Sequence, residues 1–138
     1  SDPSIKMSKS ESGKGDIYLT DDLTVIRKKI MSAVTDSGSE IYVDEEKKPG
    51  ITNLLTIYAA LTDKSLDDCV KKFKDYRYGD FKKEVANVVI NTLGPFQEKA
   101  YQFLESGEVD RVLRDGAKKA TIIANQTLKK VKEAVGLL

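Results

Sequence analysis

Lys48-Pro49-Gly50-Ile51-Thr52-Asn53-Leu54-Leu55-Thr56-Ile57-Tyr58-Ala59-Ala60-Leu61 is the stretch whose reading decides the fold. Pro-Gly is a strong turn signal. After it, Ile51, Leu54, Leu55, Tyr58 and Leu61 recur at three- and four-residue spacing, which puts them on one face of a helix. The charged run Asp44 to Lys48 leads into that turn. Before it, Ile41-Tyr42-Val43 is a short apolar run without an obvious partner strand, so no sheet is expected. Further back, Asp21 or Asp22 can cap a helix with the stripe Leu23, Ile26, Ile30 and Ala33 or Val34. Arg27, Lys28 and Lys29 fall between these positions and are expected to point largely away. Asp36-Ser37-Gly38-Ser39 is expected to end that helix.

The same period continues toward the C-terminus. Ser65 can cap a helix striped by Leu66, Cys69, Val70 and Phe73, with Asp68 completing a weak capping box. Tyr76 to Gly79 reads as a break, and Asp80 can cap the next helix. Phe81, Val85, Val88, Val89, Leu93 and Phe96 carry its stripe. Pro95 lacks a backbone donor and clashes with the preceding turn, so a kink or break is expected there before the pattern resumes through Ala100, Phe103 and Leu104. Glu105-Ser106-Gly107 separates a last helix striped by Val109, Leu113, Gly116, Ala120, Ile123, Thr127 and Val131. Small residues at Gly116, Ala117, Ala120 and Ala124 would let a neighbouring helix approach closely. Core packing is the expected explanation of every stripe. The expected fold is an all-α bundle of about five helices, without internal repeat.

Composition narrows the function. The chain has 138 residues, 23 basic and 22 acidic, for a net charge of +1. That balance argues against a strongly basic nucleic-acid wrapper, so any RNA contact must be a local patch. No apolar run approaches the ~18 residues needed to span a bilayer, and no membrane association is expected. The single cysteine excludes an internal disulfide; Cys69 on an apolar stripe reads as a buried small hydrophobe, and a reducing, cytoplasmic setting fits. With no histidine, a Ser/His/Asp triad is impossible within the chain and no metal site is expected.

Residues 1–20 lack helical periodicity and are rich in Ser, Lys, Gly and Asp. They read as a mobile loop and linker, with residues 21–138 as the helical domain. Within them stands Lys6-Met7-Ser8-Lys9-Ser10. Two ammonium groups with hydroxyls between them suit a polyphosphate, since the cations stabilise phosphate oxygens and the hydroxyls add directional hydrogen bonds. A solvated loop is the bland alternative. Gly13 and Gly15 sit where a hinge would be useful.

Taken with Lys48-Pro49-Gly50-Ile51-Thr52-Asn53-Leu54-Leu55, Tyr78-Gly79-Asp80-Phe81-Lys82, Gly116-Ala117-Lys118-Lys119-Ala120 and Val131-Lys132-Glu133-Ala134-Val135-Gly136-Leu137, this pentapeptide resembles the C-terminal part of bacterial tryptophanyl-tRNA synthetases over nearly the whole chain. The pentapeptide alone marks any class I synthetase; the KPG-x-x-NLL and YGDFK blocks point to the tryptophan enzymes. The chain departs from the family in having Glu11 where Asp is usual. It also lacks the family's second, histidine-rich ATP signature, and no nucleotide-binding unit precedes Lys6. The resemblance therefore implies a piece without the catalytic half, inactive and holding no cofactor alone.

For the full-length parent the resemblance implies an aminoacyl-tRNA ligase that forms tryptophanyl-adenylate from tryptophan and ATP with Mg2+ and then charges tRNA(Trp), working as a homodimer. Lys6 and Lys9 would be the catalytic cations, and Lys6, Met7, Ser8, Lys9 and Ser10 together the ATP-phosphate loop. Ser8 and Ser10 either bond phosphate or shape the loop. The helical domain would approach the anticodon. Tyr76, Arg77, Tyr78, Lys82 and Lys83 cluster at one helix start and offer aromatic faces and cations, as RNA readers do. Lys47 and Lys48 are a further possible phosphate contact. Two other readings stand beside this one: a non-catalytic helical RNA-binding or interaction module, and the equivalent part of the tyrosine enzyme.

Overall fold

The structure, a computed structural model, describes residues 15–138. Five helices follow in order: α1 (Leu23–Met31), α2 (Pro49–Thr62), α3 (Leu66–Phe73), α4 (Tyr78–Glu105) and α5 (Glu108–Ala134). Among the described residues there is no strand, and Ile41 to Val43 form an irregular connection with Ile41 buried. The all-α architecture expected from periodicity is the one observed.

Two compact units divide the chain, Ser1–Gln97 and Glu98–Leu138. The first has the core. Ile26 and Ile30 of α1, Ile51, Leu54, Leu55 and Tyr58 of α2, Cys69 and Phe73 of α3, and Phe81, Val85 and Val89 of α4 are all buried together. Phe73 sits at its centre. Its ring meets Tyr58 and Phe81 edge-on at centroid distances of 4.8 Å each, and Tyr76 at 5.2 Å. Such T-shaped contacts set the positive edge of one ring on the negative face of another.

Caps explain the starts of α1 and α3. The Asp22 carboxylate accepts from the Thr24 N–H at 2.7 Å, and the Ser65 hydroxyl accepts from the Asp68 N–H at 3.1 Å. Two boundaries differ from expectation. Helix α1 stops at Met31, five residues before Asp36. The backbone beyond it is claimed by tertiary partners: Lys82 Nζ donates to the Ala33 carbonyl at 2.8 Å, and Asp36 is bound to Lys48 and Tyr78. Asp80 does not cap α4. It lies inside the first turn, where its N–H and that of Phe81 both donate to the Arg77 carbonyl. Helix α4 also runs unbroken through Pro95. A proline removes only one donor, and the helix on either side keeps its own ladder.

Gly50 marks a close approach. A Cβ there would lie 2.1 Å from the Val34 carbonyl oxygen, so only glycine lets the start of α2 reach the chain leaving α1.

The second unit is built differently. Gly107, at φ 72°, turns the chain between the end of α4 and α5. Core packing does not account for the α5 stripe: none of its 27 residues is buried. Leu113, Ile123 and Val131 are 64, 66 and 52% exposed. A shallow apolar notch beside the turn is lined by Phe103, Val109, Val112 and Leu113.

Candidate functional site

Lys6, Met7, Ser8, Lys9 and Ser10 lie outside the described residues. The structure takes up the chain at Gly15, in the segment that leads from them into α1. That segment is held by two side chains from elsewhere. Lys29 of α1 donates from Nζ to the Asp16 carbonyl and to Asp21 Oδ2, both at 2.6 Å. Its ammonium also stands 5.1 Å from the centre of the Tyr18 ring, a cation–π distance. From α4, Gln97 Nε2 donates to the Leu19 and Asp21 carbonyls, both at 2.8 Å. The Tyr18 N–H closes a local loop onto Asp21 Oδ2 at 2.9 Å. The Lys29 hydrogen bond, with that of Tyr18, holds the Asp21 carboxyl below the usual carboxylate range against the effect of burial. Lys29 was expected to face away; it turns inward because two oxygens of this segment wait for a donor.

The residues proposed from sequence for RNA contact divide into two kinds. Tyr78 and Lys82 are engaged within the fold. The Tyr78 hydroxyl donates to the Asp36 carboxylate, 2.9 Å to Oδ1, and accepts from Lys48 Nζ at 2.7 Å. Lys82 donates to the Ala33 carbonyl and to Thr35 Oγ1 at 3.2 Å. Burial without a carboxylate partner pushes its ammonium below the ordinary lysine value. Tyr76, Arg77 and Lys83 are exposed. Lys83 pairs with Asp80 at 2.9 Å, a surface pair of small energetic weight.

Lys48 is likewise a structural cation and Lys47 an exposed one. The Lys48 side chain is 8% exposed and its Nζ lies 2.9 Å from Asp36 Oδ1. The bond to the Tyr78 hydroxyl and the Asp36 carboxylate raise it well above the ordinary lysine value, outweighing burial. Burial alone would raise Asp36, but hydrogen bonds from Lys48, Tyr78 and the Gly38 N–H hold its carboxyl below the usual range. The network ties the α1–α2 connection to the start of α4.

From Asp67 to Glu84 six basic side chains stand among five acidic ones, so the start of α4 carries no strong field. On α5, by contrast, Lys118, Lys119, Lys129, Lys130 and Lys132 are all exposed, with Lys118 paired to Asp115 and Lys129 to Glu133, each at 3.8 Å. Periodicity drew attention to the apolar side of α5 and passed over this charge run. Among the described residues no group of three His, Cys, Asp or Glu side chains could hold a metal ion. Magnesium bound with a nucleotide is held largely by phosphate and water, so the donor set is compatible with a nucleotide-borne ion and offers it no separate cage.

The model of the class I tRNA synthetases of the tryptophan and tyrosine type (W and Y) matches residues 1–94, more than half of the chain, and the chain belongs to that family. Curated relatives fall on the tryptophan side. The tryptophan–tRNA ligase of Oceanobacillus iheyensis is 50% identical over 137 residues, 99% of this chain and 42% of that protein. That of Caldanaerobacter subterraneus is 51% identical over the same share of each. The crystal structure of tryptophanyl-tRNA synthetase from Mycoplasma pneumoniae superposes with a TM-score of 0.66 at 34% identity, covering 74% of this chain and 32% of that one. The chain thus spans about two-fifths of the length of the curated relatives it matches.

Proposed function

We propose that this chain is the C-terminal part of a tryptophan–tRNA ligase. It supplies the ATP-phosphate loop, Lys6 to Ser10, and an anticodon-side helical domain, residues 21–138, to a nucleotide-binding half that precedes it. The observation that carries the reading is the 50% identity to a tryptophan–tRNA ligase over 99% of the chain. In the first half-reaction the tryptophan carboxylate attacks the α-phosphorus of ATP, the bond to the bridging oxygen breaks, and pyrophosphate leaves with its negative charge. Lys6 and Lys9 act by placing fixed positive charge where that charge grows. Magnesium, when bound with ATP, neutralises phosphate charge. The second half-reaction passes tryptophan to the terminal ribose of tRNA(Trp). The intact protein is a cytoplasmic homodimer, and the piece alone does not catalyse.

The direct test is tryptophan-dependent pyrophosphate exchange by the intact protein. Exchange driven by tyrosine instead would move the assignment to the tyrosine enzyme. Exchange with neither amino acid would leave a helical binding module. A hydrogen bond to a charged group is worth about 1.5–3 kcal/mol, or roughly 10- to 100-fold in rate, so Lys9→Ala slows adenylate formation by at least that factor with little change in tryptophan affinity.

For tRNA, exposure favours Tyr76, Arg77 and Lys83 as the residues a partner can reach, with Tyr78 and Lys82 holding the surface that presents them. Arg77→Ala with Lys83→Ala in the intact ligase weakens tRNA binding and lowers its salt slope by about 0.7 for each phosphate no longer neutralised. Unchanged affinity and slope would remove this surface from the tRNA interface.

A further inference from the structure

The segment from Asp16 to Asp21 is held in an unusual way for a connection. Ile17 packs half-buried against the core, but Tyr18 and Leu19 are 42% and 56% exposed, so their side chains do little to fix the path. The backbone is gripped as well. Three of its carbonyls, at Asp16, Leu19 and Asp21, accept hydrogen bonds from side-chain donors, one on α1 and one on α4. The same Lys29 ammonium binds the Asp21 carboxylate, so its charge is satisfied while its remaining donors set the path of the chain. Lys29 is 19% exposed and Asp21 16%, which protects this pair from the screening that weakens surface ion pairs. Donors spent on main-chain carbonyls specify where a backbone runs more than they add to a core. Asp16 stands seven positions after Lys9.

We infer that Lys29 and Gln97 are positioning residues for the amino-acid activation step: from two helices of the helical domain they fix the backbone register of residues 16–21, and through it the base from which the signature cations work. This rests on the ligase reading above. Neither side chain touches substrate. Their effect passes through the loop, so it falls on the phosphate chemistry and leaves recognition of tryptophan alone. Small misplacements of a charge-stabilising group cost large factors in rate.

The test is tryptophan-dependent pyrophosphate exchange by the intact ligase carrying Lys29→Met, Lys29→Arg, and Lys29→Met combined with Lys9→Ala. Lys29→Met lowers kcat/KM for ATP by about tenfold or more, and KM for tryptophan stays within about twofold of wild type. Lys29→Arg, which keeps a cation and several donors, recovers most of the activity. On the Lys9→Ala background Lys29→Met costs a smaller factor than on the wild type, because one of the two cations that the clamp positions is already gone. Wild-type kinetics in Lys29→Met would overturn the inference. So would a full additional drop on the Lys9→Ala background, since Lys29 would then act independently of the loop. Thermal unfolding of each variant separates a folding defect from a kinetic one. If Lys29→Met does not fold, Gln97→Met, which removes the hydrogen bonds to the Leu19 and Asp21 carbonyls at a half-buried site, takes the same comparisons. If Lys9→Ala itself is silent, or the wild type does not exchange with tryptophan, the ligase reading fails first and this inference falls with it.

Discussion

Replacing Lys48 with methionine keeps the apolar stem and removes the ammonium, leaving the Asp36 carboxylate and the Tyr78 hydroxyl without their shared donor. Breaking a buried pair from one side costs about 3–5 kcal/mol. Asp36 is 23% exposed, which places the expected destabilisation near the lower end, about 3 kcal/mol, read from the urea midpoint. The pH dependence follows from the two shifts. Asp36 is depressed in the folded state, so its contribution is fully present above the unfolded carboxylate value near ~3.9 and is lost as pH falls through the depressed folded value. Lys48 is raised, so its contribution is complete below about 10.4 and is lost as pH rises beyond that. Asp36→Asn therefore flattens the acid limb of the stability profile, and an acid limb as steep as that of the wild type would contradict the arrangement. None of this could be read from the linear chain. Lys48 and Tyr78 stand 12 and 42 positions from Asp36, and lysine at position 48 looked like one more charge in a charged run.

Elements show where periodicity was a sufficient guide and where it was not. Asp22 and Ser65 announced their helices because a capping side chain acts on a donor two or three residues away. The end of α1 was not announced. Asp36-Ser37-Gly38-Ser39 is a strong local stop, but Lys82 and Lys48 draw the chain out of helical geometry earlier, and both come from later elements. Gly50 belongs to the same junction. Gly50→Ala drives a methyl group into the Val34 carbonyl and is expected to cost about 3 kcal/mol, at the upper end for overpacking, measured as a lowered thermal midpoint. Lys82 and Lys83 make a second contrast within one turn. Lys82→Ala releases the Ala33 carbonyl and Thr35, and lowers stability by about 1–3 kcal/mol, whereas Lys83→Ala disturbs an exposed pair worth a few tenths. Equal melting temperatures for the two variants would show that Lys82 is not the strut described.

Over the whole molecule, stability is unevenly spread. Native-state hydrogen exchange is expected to protect α2 and the α4 turns around Phe81 and Val85, where the core residues are fully buried, up to the global unfolding free energy. Amides of α5 exchange by local opening, since no residue there is buried. Slow exchange along α5 equal to that of α2 would mean its apolar face is covered in solution. The sequence carries this stripe as clearly as any other; periodicity says that a face is apolar and is silent on whether anything lies against it. The clamp of Lys29 and Gln97 was hidden for the opposite reason. Its acceptors are main-chain carbonyls 13 to 78 positions away, and a carbonyl has no letter in a sequence.

Cys69 offers a practical reporter. Its side chain is wholly buried in the core of the first unit, and desolvation raises the thiol further toward the unreactive protonated form. As the one sulfhydryl in 138 residues, it can be alkylated only when α3 leaves its neighbours. The rate of labelling by a small thiol reagent therefore times that excursion directly, with no probe to be engineered in.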